Sequence, residues 1–356
     1  MSDPTNSHSA DPAAGHRTTR RQLLSASAAA GLAIAAGSDA PARAAAAPSR
    51  GPCRVSLTAG DDRADNAFRA LQPFAKEVAR SIGSRRVVVK PNNVLMDHQL
   101  AASDAKCLEG ILEFLKSIGK LGNAVIAESA ANGSTLEGFD NYGYPALSKK
   151  YGVKLVDLDA GESETHFVLD GKDLRPQPVR MAKLLMDPGS FILSAAKFKT
   201  HDRVVATLSL KNVVVAAPIK DLGFGWGRGK PGTRSDKATV HGGSHRATHY
   251  NLYSLAQKLA PHLALIDGYE GMEGNGPNYG SPVDHRVCVA GPDWLAADRV
   301  AAELMGVPFG HLRYLNYCAD AGMGTADLTR MEILGEPIAR HVKTYKLADN
   351  LAEQLA

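Results

Sequence analysis

The chain has 356 residues, of which 44% are apolar, 22% charged and 6% aromatic, enough for a globular core and too apolar for disorder as the main state. Its 41 basic and 37 acidic residues leave a formal charge of +4, too balanced for a dedicated nucleic-acid binder unless the surplus sits in one place. Cys53, Cys107, Cys288 and Cys318 form no C-x-x-C pair, so no cysteine-ligated iron–sulfur cluster or Cys-rich zinc site is expected.

The first recognisable segment is an address. Thr19-Arg20-Arg21-Gln22-Leu23-Leu24 runs into an uncharged, mildly apolar stretch ending at Ala36, followed by Pro41 and Ala42-Arg43-Ala44. Paired arginines, a short apolar stretch and an A-x-A site predict a twin-arginine export signal over residues 1–44. The stretch is too short to span a bilayer comfortably, so no stable membrane anchor is expected after cleavage. The expectation is a soluble periplasmic or extracellular protein that engages the twin-arginine export machinery. That machinery carries folded cargo, sometimes with a cofactor already inserted, so a metal or redox group stays open.

Residues 45–356 are expected to form a single α/β domain, or two lobes breaking near residues 160–190. Apolar spacing predicts a helix over 65–81, with Pro73 kinking or restarting it. Strands are predicted at 86–90, 124–127 and 153–158, with a helix over 104–120 between the first two. Further strands fall at 191–193, 263–266 and 287–290, and helices at 252–259 and 294–305. Short buried strands separated by helices imply a mostly parallel sheet with helices on both faces. Residues 218–243 read as a long Gly-rich loop without periodicity.

That loop and its flank hold the positive surplus. Lys220, Arg228, Lys230, Arg234, Lys237 and Arg246 face only Asp221 and Asp236. Set among glycines, these side chains could close over an anion, or could equally be a solvated, mobile loop. The G-x-G-x-x-G match at Gly227–Gly232 lacks a preceding strand and contains Pro231, so it is read as chance.

The densest polar clusters follow predicted strands. Lys197-Phe198-Lys199-Thr200-His201-Asp202 and Ser209-Leu210-Lys211-Asn212 come after the strand at 191; Lys90-Pro91-Asn92 and Glu128-Ser129 end two others. Ligands bind outside the carboxyl ends of parallel strands, where a lysine can clamp an anion or act as nucleophile and a histidine can move protons. Asp267 and Glu273, in a Gly- and Pro-rich stretch expected to form a rigid irregular loop, could serve as general base or hard-metal ligand. His241, His245 and His249 recur every fourth residue, and His245 with His249 has metal-ligand spacing on a helix. Exposed helices also carry such spacings without any metal.

Lys90-Pro-Asn92, Glu128-Ser129, Lys197-x-Lys-Thr-His201, Ser209-Leu-Lys-Asn212 and Asp267 through Pro277, with Gly-Met-Glu-Gly-Asn-Gly-Pro, resemble in the same order the domain-of-unknown-function family numbered 362. The resemblance covers about residues 85–307. Some relatives carry ferredoxin-type cysteine motifs, which this chain lacks. The family itself implies no activity.

The expected function is an exported enzyme acting on a small anionic substrate, with a metal or redox link left open. Lys199, His201, Lys211, Asn212, Asp267 and Glu273 are the catalytic candidates. Lys90, Asn92, Glu128, Lys197, Arg228, Lys230 and Asn275 are candidates for holding the substrate, and His245 and His249 for holding a metal ion. The alternatives are a non-catalytic periplasmic binding protein for a carboxylate or phosphate, and a redox partner subunit. Whether Cys288 pairs with Cys318 is not decided by the sequence.

Overall fold

The computed structural model describes residues 53–227 and 229–356. The predicted export segment and Arg228 lie outside the described residues. The N-terminal half alternates as the hydrophobic periodicity requires: β1 (Cys53–Ala59), α1 (Arg63–Leu71), α2 (Ala75–Ile82), β2 (Arg86–Lys90), α3 (Ala105–Ser117), β3 (Ala124–Glu128), α4 (Thr135–Asn141), α5 (Tyr144–Tyr151) and β4 (Lys154–Asp157). A separate hairpin follows, β5 (Ser163–Leu169) and β6 (Pro176–Ala182), then α6 (Lys183–Met186), the long strand β7 (Ser190–His201), β8 (Val205–Thr207) and α7 (Ser209–Val214). The C-terminal half contains α8 (Asp236–Val240), α9 (His245–Ala256), β9 (Leu263–Asn275), β10 (Tyr279–Gly291), α10 (Trp294–Leu304), α11 (Arg313–Asp320), β11 (Met331–Gly335) and α12 (Leu351–Leu355).

One sheet runs in the order β11-β1-β10-β9-β7-β2-β3-β4, with β8 paired to β7. Pairings among β9, β7, β2, β3 and β4 are parallel, as is β1 with β11; β1–β10, β10–β9 and β7–β8 are antiparallel. Strand residues alternate between two apolar layers. Val88, Ile192, Ala196 and Phe198 pack toward α7, α9 and α10, whereas Val87, Val89, Phe191 and Leu193 pack toward α1, α2 and α3. The sheet is therefore covered on both faces, the condition for a buried parallel sheet.

Several local expectations are met and others corrected. The helix expected over 65–81 does restart at Pro73: α1 and α2 flank a 3-10 turn, Gln72–Phe74. The irregular loop expected after Asp267 is instead a long antiparallel ribbon, β9 paired with β10 from Asn275 and Tyr279 downward. Its glycines mark close approach rather than disorder of pattern. A Cβ on Gly271 would strike the Tyr345 ring, and one on Gly276 would strike the Thr200 carbonyl. The basic stretch is also more ordered than expected. Arg180 on β6 binds Asp236 through Nε (2.9 Å) and Asp221 through Nη1 (2.7 Å), tying both ends of the stretch to the hairpin and allowing α8 to form. Cys288 packs in one apolar layer and Cys318 in the other, and all four cysteines are free.

Candidate functional site: a lysine-rich cleft at the strand ends

The carboxyl ends of β2, β3 and β7 share one edge of the sheet, and a cleft of about 360 Å3 opens there. Its floor is a fully bonded polar network. The Lys90 ammonium, at the end of β2, donates to Glu128 Oε2 (2.8 Å) at the end of β3, to Asn212 Oδ1 (3.2 Å) on α7 and to the Pro91 carbonyl. Glu128 also accepts from the Asn93 and Ser129 amides, at 2.8 Å each. Asn212 closes the circuit: its Nδ2 donates to the Lys90 carbonyl and Ser194 Oγ, both at 3.0 Å, and its Oδ1 accepts from Asn92 Nδ2 at 2.9 Å. Lys199 lies behind, donating to Asn92 Oδ1 (2.6 Å) and the Ala101 carbonyl (3.1 Å). Buried polar groups so paired rigidify a site rather than react.

Lys211 is different. It lines the cleft, is 5% exposed, and its ammonium has no hydrogen-bond partner among the described residues. It is carried on α7, whose first amides, Ser209 (2.7 Å) and Leu210 (3.1 Å), donate to the buried carboxylate of Asp298 on α10. Burial pushes Lys211 down to about 8, because a charged amine without acceptors is costly in the interior; Asp202 at the rim partly opposes this. The same burial, aided by the positive charge of Lys211, holds His201 well below its ordinary value and His241 down to about 4. Burial, with Lys211 and Lys197 adding to it, also holds Lys199 well below the lysine range.

The two histidine rings stack with centroids 6.4 Å apart and planes 15° from parallel. Their hydrogen bonds imply opposite tautomers. Arg203 N–H donates to His201 Nδ1 (2.9 Å), leaving the neutral ring's proton on Nε2. His241 Nδ1 meets the Lys237 carbonyl (2.7 Å), which can only accept, so its Nε2 holds a lone pair. A donor and an acceptor thus lie on stacked rings in the same cleft as a free amine.

Lys237 closes the floor. Its Nζ donates to the carbonyls of Val215 (3.1 Å), Ala216 (3.0 Å) and Pro218 (2.5 Å) just beyond α7. Burial pushes it down to about 7, while three acceptors favour the ammonium, so it acts as a cap on the end of α7. Lys220 is paired with buried Asp159. At the mouth, Trp226 is 54% exposed and is held by its amide on Asn132 Oδ1 at 2.7 Å. Asn93 Nδ2 and Asn278 Oδ1, both on cleft-lining residues, are buried without partners.

Of the residues singled out by sequence, Lys90, Asn92, Glu128, His201, Lys211 and Asn212 line the cleft and Lys199 supports it. The others are elsewhere. Lys197 and Asp267 are paired in register on β7 and β9 and face Arg63 of α1, whose Nε is 3.4 Å from Asp267 Oδ2. Glu273 accepts from the Lys346 amide (2.8 Å), and Asn275 Nδ2 donates to Asp349 (2.8 Å). Both lie along the β9–β10 ribbon, which carries them past the sheet edge. Lys230 packs its stem over Gly223, outside the cleft lining. His245 and His249 do share α9, but the pair is split: His249 is buried, stacks on Tyr314 and accepts from its amide (3.2 Å), while His245 Nδ1 meets the Arg203 carbonyl. Among the described residues no group of three or more His, Cys, Asp or Glu side chains converges as a metal site would require.

Lys237, His241, Asn93 and Trp226 reach the site without having been selected from the sequence. Lys237 was legible only as one of the cations of the basic stretch, and His241 through a four-residue spacing that tied it to the wrong histidines.

Fold and cleft together define a mixed α/β protein with a preformed, cationic cleft at the carboxyl edge of its parallel strands. The sequence profile of the domain of unknown function DUF362 matches residues 87–303, which include every cleft residue named above, and the chain belongs to that family. It is also 25% identical, over 224 residues, to a thylakoid-associated protein of Synechocystis sp.; the match covers 62% of this chain and 63% of that relative's length.

Proposed function

We propose that the protein is an exported enzyme that binds a small anionic substrate in the lysine-rich cleft and moves protons on it through Lys211, His201 and His241. The observation that carries this reading is the unpartnered Lys211 amine inside a cleft where, among the described residues, the buried acid Glu128 is already taken by Lys90 and the rim acid Asp202 lies against His201. Lys199, Lys211 and Lys237 have no carboxylate within ion-pair distance among the described residues, so an entering anion meets uncompensated positive potential. Asn93 Nδ2 and Asn278 Oδ1 supply a donor and an acceptor to orient it. Export is supported by the arginine pair and cleavage pattern of residues 19–44, and no described helix is long and apolar enough to cross a membrane.

Titration calorimetry with inorganic phosphate and with oxalate, run at pH 8.5 in buffers of different ionisation heat, tests the reading. Binding with uptake of a proton, lost in Lys211→Met, is expected, because an anion beside Lys211 raises its pKa. Absence of binding, or binding that Lys211→Met leaves intact, contradicts it. A physiological ligand recovered unaltered after prolonged incubation would instead support a binding protein.

A further inference from the structure

Among the described residues the cleft holds one lysine whose amine is neither bonded nor paired, and this deepens the reading above, on which it rests. We propose that Lys211 forms an imine with the carbonyl group of a small 2-oxo carboxylate held in the cleft.

The geometry separates Lys211 from the other lysines that line or support the cleft, Lys197 lying outside it. Lys90 is bonded to Glu128, Asn212 and Pro91; Lys199 to Asn92 and Ala101; Lys220 to Asp159; Lys237 to three carbonyls. Their donors are taken up, and attack by any of them would first break that network. Lys211 would break nothing. It also projects from a helix whose start is fixed by Asp298 and whose end is fixed by Lys237, so the amine is presented from a rigid support.

The chemistry balances without an oxidant or reductant. The Nζ lone pair attacks the carbonyl carbon; a C–N bond forms and the C=O π pair moves to oxygen. One amine proton leaves to an acceptor, for which His241 Nε2 is available, and passes from there to the oxygen, which accepts a hydrogen bond from His201 Nε2–H as its charge develops. The second amine proton follows the same route to the hydroxyl, which departs as water and leaves C=N with both rings again neutral. The carboxylate of the same ligand favours the ammonium forms of Lys199 and Lys237, which burial disfavours and no carboxylate among the described residues offsets by an ion pair. Burial favours the free base: with Lys211 near 8, the unprotonated fraction at pH 7 is about 300-fold that of a lysine at its ordinary value.

The test incubates the exported chain with pyruvate and sodium cyanoborohydride, which reduces an imine to a stable secondary amine, and maps the adduct by peptide mass spectrometry. A single N-carboxyethyl group on Lys211 is expected, formed roughly 100-fold faster than on exposed lysines and suppressed by inorganic phosphate. Lys211→Arg should abolish it. Adducts scattered over exposed lysines, with Lys211 unmodified while phosphate still raises the melting temperature, overturn the imine and leave the anion site standing. No adduct and no phosphate effect overturn both. Because phosphate protection and peptide mapping are read on the unaltered protein, the result does not depend on the variant folding.

Discussion

Two clusters of buried charge lie along β7, two residues apart in sequence. At Lys197 the strand faces Asp267, Arg63 and Asp104: two cations and two anions, with Arg63 Nη1 2.5 Å from Asp104, and none of them lines the cleft. At Lys199 and beyond, the strand faces Lys211, His201 and His241, where cations outnumber their acids and the cleft opens. A bulge in the β7–β9 pairing between Lys197 and Lys199 separates the two environments. The difference teaches that buried charge marks a binding site where it is left uncompensated beside a cavity; where it is compensated, it holds elements together.

The largest expected effect separates paired from unpaired charge. Glu128→Ala leaves the Lys90 ammonium buried without its acid and should cost about 3–5 kcal/mol in urea unfolding. Lys211→Met removes a buried amine that has no partner, and should be neutral or stabilise by about 1–4 kcal/mol while abolishing phosphate binding. If both variants destabilise alike, Lys211 is part of the scaffold and the contrast fails.

Stability should also depend on pH in a direction set by the cleft. Lys211 is lowered to about 8 and Lys237 to about 7 in the folded chain, so between about pH 7 and 10.5 the unfolded chain holds more protons. Stability therefore rises with pH across that window, by up to about 1.4 kcal/mol per pH unit for each group. The groups facing Lys211 are Lys199 and His201 of β7, His241 after α8 and Asp202 at the rim. Chemical denaturation at several pH values should show the rise shrinking in Lys211→Met and in saturating phosphate; a flat profile in the unaltered protein would contradict the burial argument.

A smaller effect tests the support. Asp298→Asn keeps one acceptor for the two α7 amides, so a loss of about 1–2 kcal/mol is expected, with weaker phosphate binding as Lys211 loses its fixed position. Burial raises Asp298 to about 7, so the folded chain holds the extra proton between about pH 4 and 7 and stability from this carboxylate falls as pH rises there; the substitution should remove that slope. Smallest is Trp226→Ala. Because the ring is half-exposed, the melting temperature should hardly move, whereas phosphate dissociation measured by stopped flow should quicken a few-fold.

The convergence of Lys90, Glu128 and His201 was legible because each ends a parallel strand, and parallel strands place their carboxyl ends on one edge; Lys211 and Asn212 reach that edge on α7, after β8 turns back antiparallel on β7. Asp267 misled for a physical reason. It also follows an apolar strand run, but β9 does not stop there; it continues as a ribbon with β10, so Asp267 remains in the sheet and pairs with Lys197. Lys197 and Lys199 read as one cluster because a regular strand would point both to the same place; a bulge is not visible in residue type. Lys237 and His241 were hidden by α8, five residues long and held by Arg180 from a distant strand, with too few turns to show a period. Four-residue spacing linked His241 to His245 and His249, whereas its ring stacks on His201, forty positions earlier.

The central claim is that Lys211 carries an unpartnered amine, free base at mildly alkaline pH, that meets the ligand directly. NMR titration of the lysine Cε–Nζ groups, with Lys211 assigned by its loss in Lys211→Arg, reads this group alone. A midpoint near 8 that moves upward when phosphate is added is the predicted result. A midpoint near the ordinary lysine value, unmoved by phosphate, would contradict it.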